Sequence, residues 1–315
     1  MFKNRFLKIV RSLIKLILPY ISKLLLVLRI NRRTINYLSE KGYFSNNLQN
    51  FTKILDELLG ANKIIALDIG AQGGFNSDNF FSKKYTKYFQ DILFEPIETE
   101  AKKISNSKKV INKGLWSSKE TKKLYVLENR LGSSSMYKPD MENFDLHNLR
   151  KDEYKNYEVT KILDVECDRL DNSLKEIDIL NIDYLKIDTQ GAEFEIIKGI
   201  GEYRPLLIKI ELHIFSMYKN VPDWSKVLNL MSELNYVAID WKGIGKHSSR
   251  IPAETEMIFL PNFKNQKGKE LILKNREKFI SLMLIFGQIN ILKVIMKKLK
   301  IENRAIEDLE DFYFY

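Results

Sequence analysis

An apolar run that ends in an acid and leads into a glycine-rich turn sets a carboxylate beside unpaired backbone amides. Ile64-Ile65-Ala66-Leu67-Asp68-Ile69-Gly70-Ala71-Gln72-Gly73-Gly74-Phe75 has that form. Glycine lets a ligand approach the backbone closely, and a helix opening beyond the turn would present free N–H groups. The spacing departs from the G-x-G-x-x-G of a dinucleotide fold, and an ordinary tight turn shares much of this composition. A second acid, Glu95, closes the next apolar run, Ile92-Leu93-Phe94-Glu95-Pro96. A carboxylate at the end of a second strand can accept both hydroxyls of a ribose. The pair Asp68 and Glu95 thus points to a nucleoside-containing cofactor.

Two further segments carry acid–base chemistry. In Tyr184-Leu185-Lys186-Ile187-Asp188-Thr189-Gln190-Gly191-Ala192-Glu193, Asp188 falls at the carboxyl end of a buried strand, the edge where open α/β sheets bind ligands. Glu193 lies about one turn into the helix that follows. In Ile208-Lys209-Ile210-Glu211-Leu212-His213, Glu211 and His213 are two apart on a strand and share a face. An imidazole titrating near pH 6.5 suits a general base that takes the proton of a hydroxyl. Asp188 and Glu211 would orient that imidazole or the substrate, or hold a divalent cation. The plainer reading of His213 as a structural residue stays open.

The elements that must position these groups read as an α/β fold. Strands are expected near 63–69, 88–95, 109–116, 121–128, 157–167, 182–188, 205–212, 235–242 and 254–261. Helices are expected near 76–84, 97–106, 170–177, 190–199 and 223–235. Residues 129–156 form a long polar stretch of the kind that serves as a lid or binding segment. Beyond Pro261 an uncharged run, Phe279 to Leu292, is short for a membrane span and suits a buried or interfacial helix.

Composition narrows the function further. The chain has 315 residues and a formal charge of +10. Nine Lys or Arg and no acid lie within residues 1–33, leaving the remainder nearly neutral. A nucleic-acid surface would spread its basic residues over the fold, so no nucleic-acid partner is expected. On a helical projection six of the nine basic residues of 1–33 (Arg5, Lys8, Arg11, Lys15, Lys23 and Arg29) share one arc and Leu, Ile, Val and Phe fill most of the rest, the pattern of an interfacial helix on an anionic membrane. The competing expectation is a helix packed on its own chain or in a homodimer. Neither a spanning helix nor a signal peptide fits the segment. The single cysteine, Cys167, excludes an intrachain disulfide and suits a reducing compartment. The expected location is the cytoplasm, peripheral to the inner face of the membrane.

The blocks LDIGAQGGF (67–75), FEP (94–96), Ser133-Ser134-Ser135, the segment ending Asp168-Arg169-Leu170-Asp171, LKIDTQGAEFEIIKG (185–199) and IELH (210–213) together resemble the FkbM family of S-adenosylmethionine-dependent methyltransferases. Their order and spacing carry the resemblance, over roughly residues 62–245. Gln72 stands where that family usually has Asn. The resemblance implies a Rossmann-like class I methyltransferase sheet, seven-stranded and mostly parallel, within a domain spanning 41–262. A basic helical segment (1–40) and a C-terminal helical extension (263–315) would be additions to it. S-adenosylmethionine is the implied cofactor, met by Asp68, Gly70, Gly73, Glu95 and Pro96. Catalysis would fall to His213, Asp188 and Glu211, and acceptor contacts to Ser134, Ser135 and Glu193. No metal is expected; were a divalent cation bound, Asp188, Glu211 and His213 would be its ligands. The implied reaction is O-methyl transfer, and a carbohydrate or lipid-linked glycan precursor is the expected acceptor. The alternatives are a non-catalytic cofactor-binding scaffold of the same fold and a nicotinamide-dependent sugar-modifying enzyme. The missing G-x-G and the absence of a Tyr-x-x-x-Lys pair weigh against the latter.

Overall fold

The computed structural model describes residues 51–78, 80–105, 109–147, 149–242, 251–307 and 309. The amphipathic segment 1–33, and with it the proposed domain 1–40, lies outside the described residues.

Among the described residues ten strands run β1 (Ile64–Ile69), β2 (Phe89–Phe94), β3 (Lys109–Ile111), β4 (Gly114–Leu115), β5 (Glu120–Val126), β6 (Lys161–Asp168), β7 (Tyr184–Ile187), β8 (Leu207–His213), β9 (Tyr236–Lys242) and β10 (Glu254–Pro261). Seven of them form one sheet in the order β3-β2-β1-β7-β8-β10-β9. All neighbours are parallel except β10, which is antiparallel to both β8 and β9. This is the mostly parallel, seven-stranded α/β sheet expected, and its order reverses between β1 and β7. The expected strand 109–116 divides. Its first half, β3, joins the main sheet, and its second half, β4, pairs with β6 in a small sheet completed by β5. Asn112 marks the division: its side-chain amide donates to the carbonyls of Glu95 (2.8 Å) and Pro96 (3.0 Å).

Helices cover both faces, and α2 (Glu98–Ile104) follows β2. Alternation along the central strands sends Leu67, Ile69, Leu185, Ile187, Ile208 and Ile210 to one face. There they meet α3 (Leu170–Lys175), α4 (Glu193–Lys198) and α5 (Trp224–Glu233), through residues such as Leu174, Ile197 and Val227. The opposite face presents Ile64, Ala66, Tyr184 and Leu207 to α1 (Thr52–Leu59), α6 (Gln266–Lys274), α7 (Arg276–Ile285) and α8 (Ile289–Leu299). The C-terminal helices are therefore one of the sheet's covering layers. Lys278 on α7 is clamped to Asp183 (2.6 Å), and Asp183 also accepts the Ile65 N–H (2.8 Å). The uncharged run 279–292 folds as two helices, broken where Gly287 turns left-handed (φ 70°). Among the described residues, no helix is long and apolar enough to cross a membrane.

No regular helix forms among the described residues of 76–84. Asn76 takes a left-handed conformation (φ 56°). Its side chain then closes on Phe81, donating to the carbonyl (2.9 Å) and accepting the N–H (3.3 Å). Local side-chain bonding of this kind competes with helix formation. The chain instead passes through turns into a 3₁₀ segment, Lys83–Tyr88. The stretch 129–156 likewise folds into 3₁₀ turns, with Phe144 and Tyr157 forming a small core of their own.

Candidate active site

The turn after β1 is pinned against β2 by two N–H donors, Gly70 and Ala71, which share the Phe94 carbonyl (3.1 and 3.2 Å). Gly70 is left-handed (φ 79°), and a Cβ there would overlap the backbone carbonyl of Asp188 at the end of β7. Only glycine permits both the conformation and the approach. The ends of β1 and β7 thus close into the floor of a cavity of about 310 Å³, bounded by Gly70, Glu95, Pro96, Asp188 and Gln190, with Ser134 above. It lies at the carboxyl edge of the sheet, where the strand order reverses, the general ligand position of open α/β folds. The loop bearing Ser134 comes close enough that a Cβ on Gly132 would stand 2.8 Å from the Gln72 side-chain oxygen.

Charge is concentrated at this floor, where Lys186, Asp78 and Asp188 line the cavity. Asp68 is fully buried (0% exposed) and ion-paired to Lys186 at 3.2 Å, without the geometry of a hydrogen bond. Lys186 also faces Asp188 at 3.8 Å. Burial pushes the Asp68 carboxyl up to about 6, against the pull of Lys186. For Lys186 burial opposes the charge, but Asp68, Asp188 and Asp78 outweigh it and hold the ammonium above the ordinary lysine range. Glu95 is buried at the cavity wall. One of its oxygens accepts the Ile97 N–H (2.8 Å), and burial raises its pKa to about 7. The Gln190 amide spans two acids, donating to Asp188 (3.1 Å) and to Glu211 (2.7 Å). Burial, and then the Asp188 charge, lifts Glu211 to about 9, so it keeps a proton at neutral pH.

The residues singled out from the sequence take several positions. Gly70, Glu95, Pro96, Ser134 and Asp188 line the cavity. Asp68 lies beneath it, and Gly73 belongs to the same turn but not to the wall. Ser135 stands behind the wall, its hydroxyl donating to the Gln190 carbonyl (2.6 Å). Glu193 turns inward and accepts the N–H groups of Thr189 (3.0 Å) and Gly191 (3.1 Å), fixing the turn after β7. Glu211 reaches the cavity only through Gln190. His213 is buried away from the wall, its ring edge-on to Tyr218 at 5.4 Å and both its nitrogens unpartnered. Among the described residues, no group of three or more His, Cys, Asp or Glu side chains is placed to hold a metal ion. Sequence reasoning passed over Lys186 and Gln190. A lysine inside an apolar strand, flanked two residues on by an acid, was the available sign of the first; nothing local marked the second.

The sequence matches the family described as Methyltransferase FkbM domain over residues 68–238, more than half of the chain. No curated protein matches it.

Proposed function

We propose that this chain, which belongs to the FkbM methyltransferase family, transfers a methyl group from S-adenosylmethionine to a hydroxyl oxygen. One observation carries the reading: a carboxyl-edge cavity whose floor is a Gly70 backbone too close to Asp188 for any side chain, with the buried Glu95 facing in. These features suit the cofactor. The open turn would accommodate its amino-acid end, and the Glu95 oxygen not used by the Ile97 N–H would accept its ribose hydroxyls. Bound there, the cofactor supplies an electrophilic methyl on a sulfonium.

The chain's own residues do the rest. An alcohol attacks well only as its proton leaves. Asp188 is the carboxylate at the wall, and Lys186 and Gln190 fix its two oxygens. It takes the hydroxyl proton or orients the acceptor, holding oxygen in line for transfer. The protonated Glu211 behind Gln190 keeps a second charge away from this position. A sugar hydroxyl of a surface glycan or its lipid-linked precursor is the acceptor we favour. The nine basic residues in 1–33, six of which share one arc of a helical projection opposite Leu, Ile, Val and Phe, support that choice. They suit reversible attachment to an anionic membrane surface, where such precursors reside. Loss of liposome co-sedimentation on removing residues 1–33, with folding intact, is the expected result.

Calorimetry with S-adenosylmethionine tests the cofactor assignment. Gly70→Val should abolish measurable binding. Glu95→Ala should weaken it roughly ten- to a hundred-fold, the loss of a charge-assisted hydrogen-bonding group. Equal affinity in all three proteins would sink the assignment.

A further inference from the structure

We propose that the outer face of the C-terminal helical layer, α6 to α8, docks on the phosphate headgroups of an anionic phospholipid bilayer. The surface belongs to the folded domain and uses none of the residues assigned to methyl transfer, so it stands or falls apart from that reading. It is also distinct from the segment 1–33. Residues 262–300 contain ten Lys or Arg and two acids, Glu270 and Glu277. The near-neutrality of the chain beyond residue 33 thus averages a strongly basic layer with a net acidic remainder. Three of the ten cations are half-buried; of these Lys278 holds Asp183, and Lys293 donates to the carbonyls of Glu307 and Leu309. Arg276 is exposed and paired with Glu277 at 2.6 Å. The other six, Lys264, Lys267, Lys274, Lys297, Lys298 and Lys300, are exposed and have no acidic partner among the described residues.

The helices bring these charges together. α6 and α8 both pack against α7, and all three cover the same face of the sheet. The end of α6, the start of α7 and the turn after α8 meet around a cavity of about 390 Å³, where Leu273, Arg276 and Lys300 share one rim with Glu277 and Glu302. Helix dipoles favour Lys274, Lys297 and Lys298 in the last turns of α6 and α8. They would equally favour acids in the first turns, and neither helix has one there. The one-sided composition therefore needs a cause outside helix stability, and an anionic partner supplies it.

The apolar side chains among the lysines select the partner. Leu273 on α6 is 44% exposed and Val294 on α8 is 50% exposed. Aliphatic groups set among cations add shallow insertion to charge attraction, which is how an interfacial surface holds an anionic bilayer. Lysine stems can lie along the same apolar surface while their ammonium groups reach the phosphates. A single-stranded nucleic acid would be met by cations interleaved with exposed aromatic rings, and no aromatic side chain is exposed among the described residues of this layer. The chain also enters the fold on this side. Phe51 is buried in the same core as α7 and α8, and Leu58 of α1 lines the same cavity. Attachment through 1–33 and docking of the layer are thus compatible with one orientation. In that orientation the strands lie along the membrane plane, and the cofactor cavity at their carboxyl ends stays clear of it.

Co-sedimentation of the full chain with vesicles of phosphatidylglycerol and phosphatidylcholine, at low ionic strength, tests this. Replacing Lys267, Lys274, Lys297 and Lys298 together by Gln should lower vesicle affinity by roughly thirty-fold or more and leave the unfolding temperature unchanged. A control of equal net charge replaces Lys119, Lys123, Lys161 and Lys175, which are exposed on other elements. It should alter affinity by roughly three-fold or less, because charges away from the surface are screened. A dye reports the orientation. Cys167 is buried, and burial pushes its thiol up to about 11, so Val294→Cys can be labelled selectively. An environment-sensitive fluorophore there should shift to the blue on the anionic vesicles, and the same dye at Ile162→Cys on β6 should not. The proposal is overturned if the layer variant binds like wild type, if the control loses as much as the layer variant, or if the dye at Val294 does not respond. Vesicle binding without that response would leave attachment through 1–33 standing. A chain that ignores vesicles but binds a duplex oligonucleotide through these lysines would assign the layer to nucleic acid instead. Cofactor affinity should be the same in every variant, and its absence would bear on the methyltransferase reading alone.

Discussion

The two faces of the central sheet are built from the same strands and yet differ in kind. On one, Leu67, Ile69, Leu185, Ile187, Ile208 and Ile210 form an unbroken apolar surface. On the other, the apolar residues Ala66, Tyr184 and Leu207 give way, two positions toward the carboxyl edge, to Asp68, Lys186 and Lys209, which are in register with one another. Buried charge is costly. A sheet needing only stability would continue Leu and Ile to its end. Lys186, the middle of this row, lines the cavity, so the cost is localised where ligand chemistry requires fixed fields. The first face holds the fold, and the second gives up part of that stability to a site.

Replacing Lys186 is the sharpest way to break the contrast. Lys186→Met leaves Asp68 buried without a counter-charge, and removing one partner of a buried pair costs about 3–5 kcal/mol. Leu185→Ala, one residue away on the apolar face, costs a comparable 2–5 kcal/mol or so through the cavity it leaves. Their pH dependence separates them. Asp68 holds its proton up to about pH 6 in the native chain. Below that value little of the ion pair exists to lose, so the Lys186→Met penalty should be small near pH 5 and grow as pH rises past 6. The Leu185→Ala penalty should stay flat. Denaturant unfolding at pH 5 and pH 8 measures both. Recovery of at least half the loss in Asp68→Asn/Lys186→Met would confirm that an unpaired carboxylate is the cause. Equal penalties at the two pH values would mean Lys186 acts by packing alone.

Glu95 gives the next largest effect, on the wall itself. Burial raises its pKa from 4.5 to about 7 in the folded chain. A group whose folded pKa lies above its unfolded value keeps its proton longer in the native state, so native protein binds more protons between about pH 4.5 and 7. Stability therefore falls as pH rises through that window, by at most about 3 kcal/mol from this residue. Glu95→Gln should flatten the slope and stabilise the protein above pH 7. Cofactor affinity should run the other way. As Glu95 ionises it becomes an acceptor for both ribose hydroxyls, so wild-type binding should tighten from pH 6 to pH 8 and that of Glu95→Gln should not. The opposing trends are the signature of a residue kept for a ligand at the expense of the fold.

Much of this is legible in the amino-acid sequence, for identifiable reasons. Strand alternation and run length located nearly every strand, because a mostly buried sheet writes a strong hydrophobic signal. Gly70, Asp188 and Glu95 stood out because acid and glycine at strand ends are locally unusual, and the cavity brings those three together. What failed to show was long-range or conformational. The expected helix at 76–84 is lost to one asparagine side chain that closes on Phe81. The run 279–292 conceals its break at Gly287 because its apolar content is continuous. His213 and Glu211 share a strand face as expected, but the loops that wrap β8 decide what that face meets. Tyr218 and Gln190, from segments on either side of β8 in sequence, stand between His213 and the cavity wall. No spacing rule reports such a contact.

Lys209 supplies the finest test of the two-face contrast, since it is as buried as Lys186 but differently partnered. Its ammonium pairs with Asp78 at 2.9 Å and Glu256 at 2.7 Å and lies 4.1 Å from the centre of the Phe80 ring. Both acids keep about a third of their side-chain surface in solvent (32% and 31%), so water can replace the lost charge. Lys209→Met should therefore cost about 1–2 kcal/mol, within the range for a polar group left unpaired near solvent, and less than Lys186→Met. The pH window should also move. For Asp78 burial raises the pKa, but Lys209, Lys186 and the Phe80 N–H together outweigh it and set the carboxyl below the ordinary range. Stability from a depressed carboxyl is present above its unfolded pKa and lost as pH falls through the folded one. The Lys209→Met penalty should then be constant from neutral pH down to the ordinary carboxylate range and disappear only below it, whereas the Lys186 penalty fades already near pH 6. If the two lysine variants lost stability equally and over the same pH range, depth beneath the cavity would not govern the cost of these charges, and the charged row would have to be read as one delocalised network.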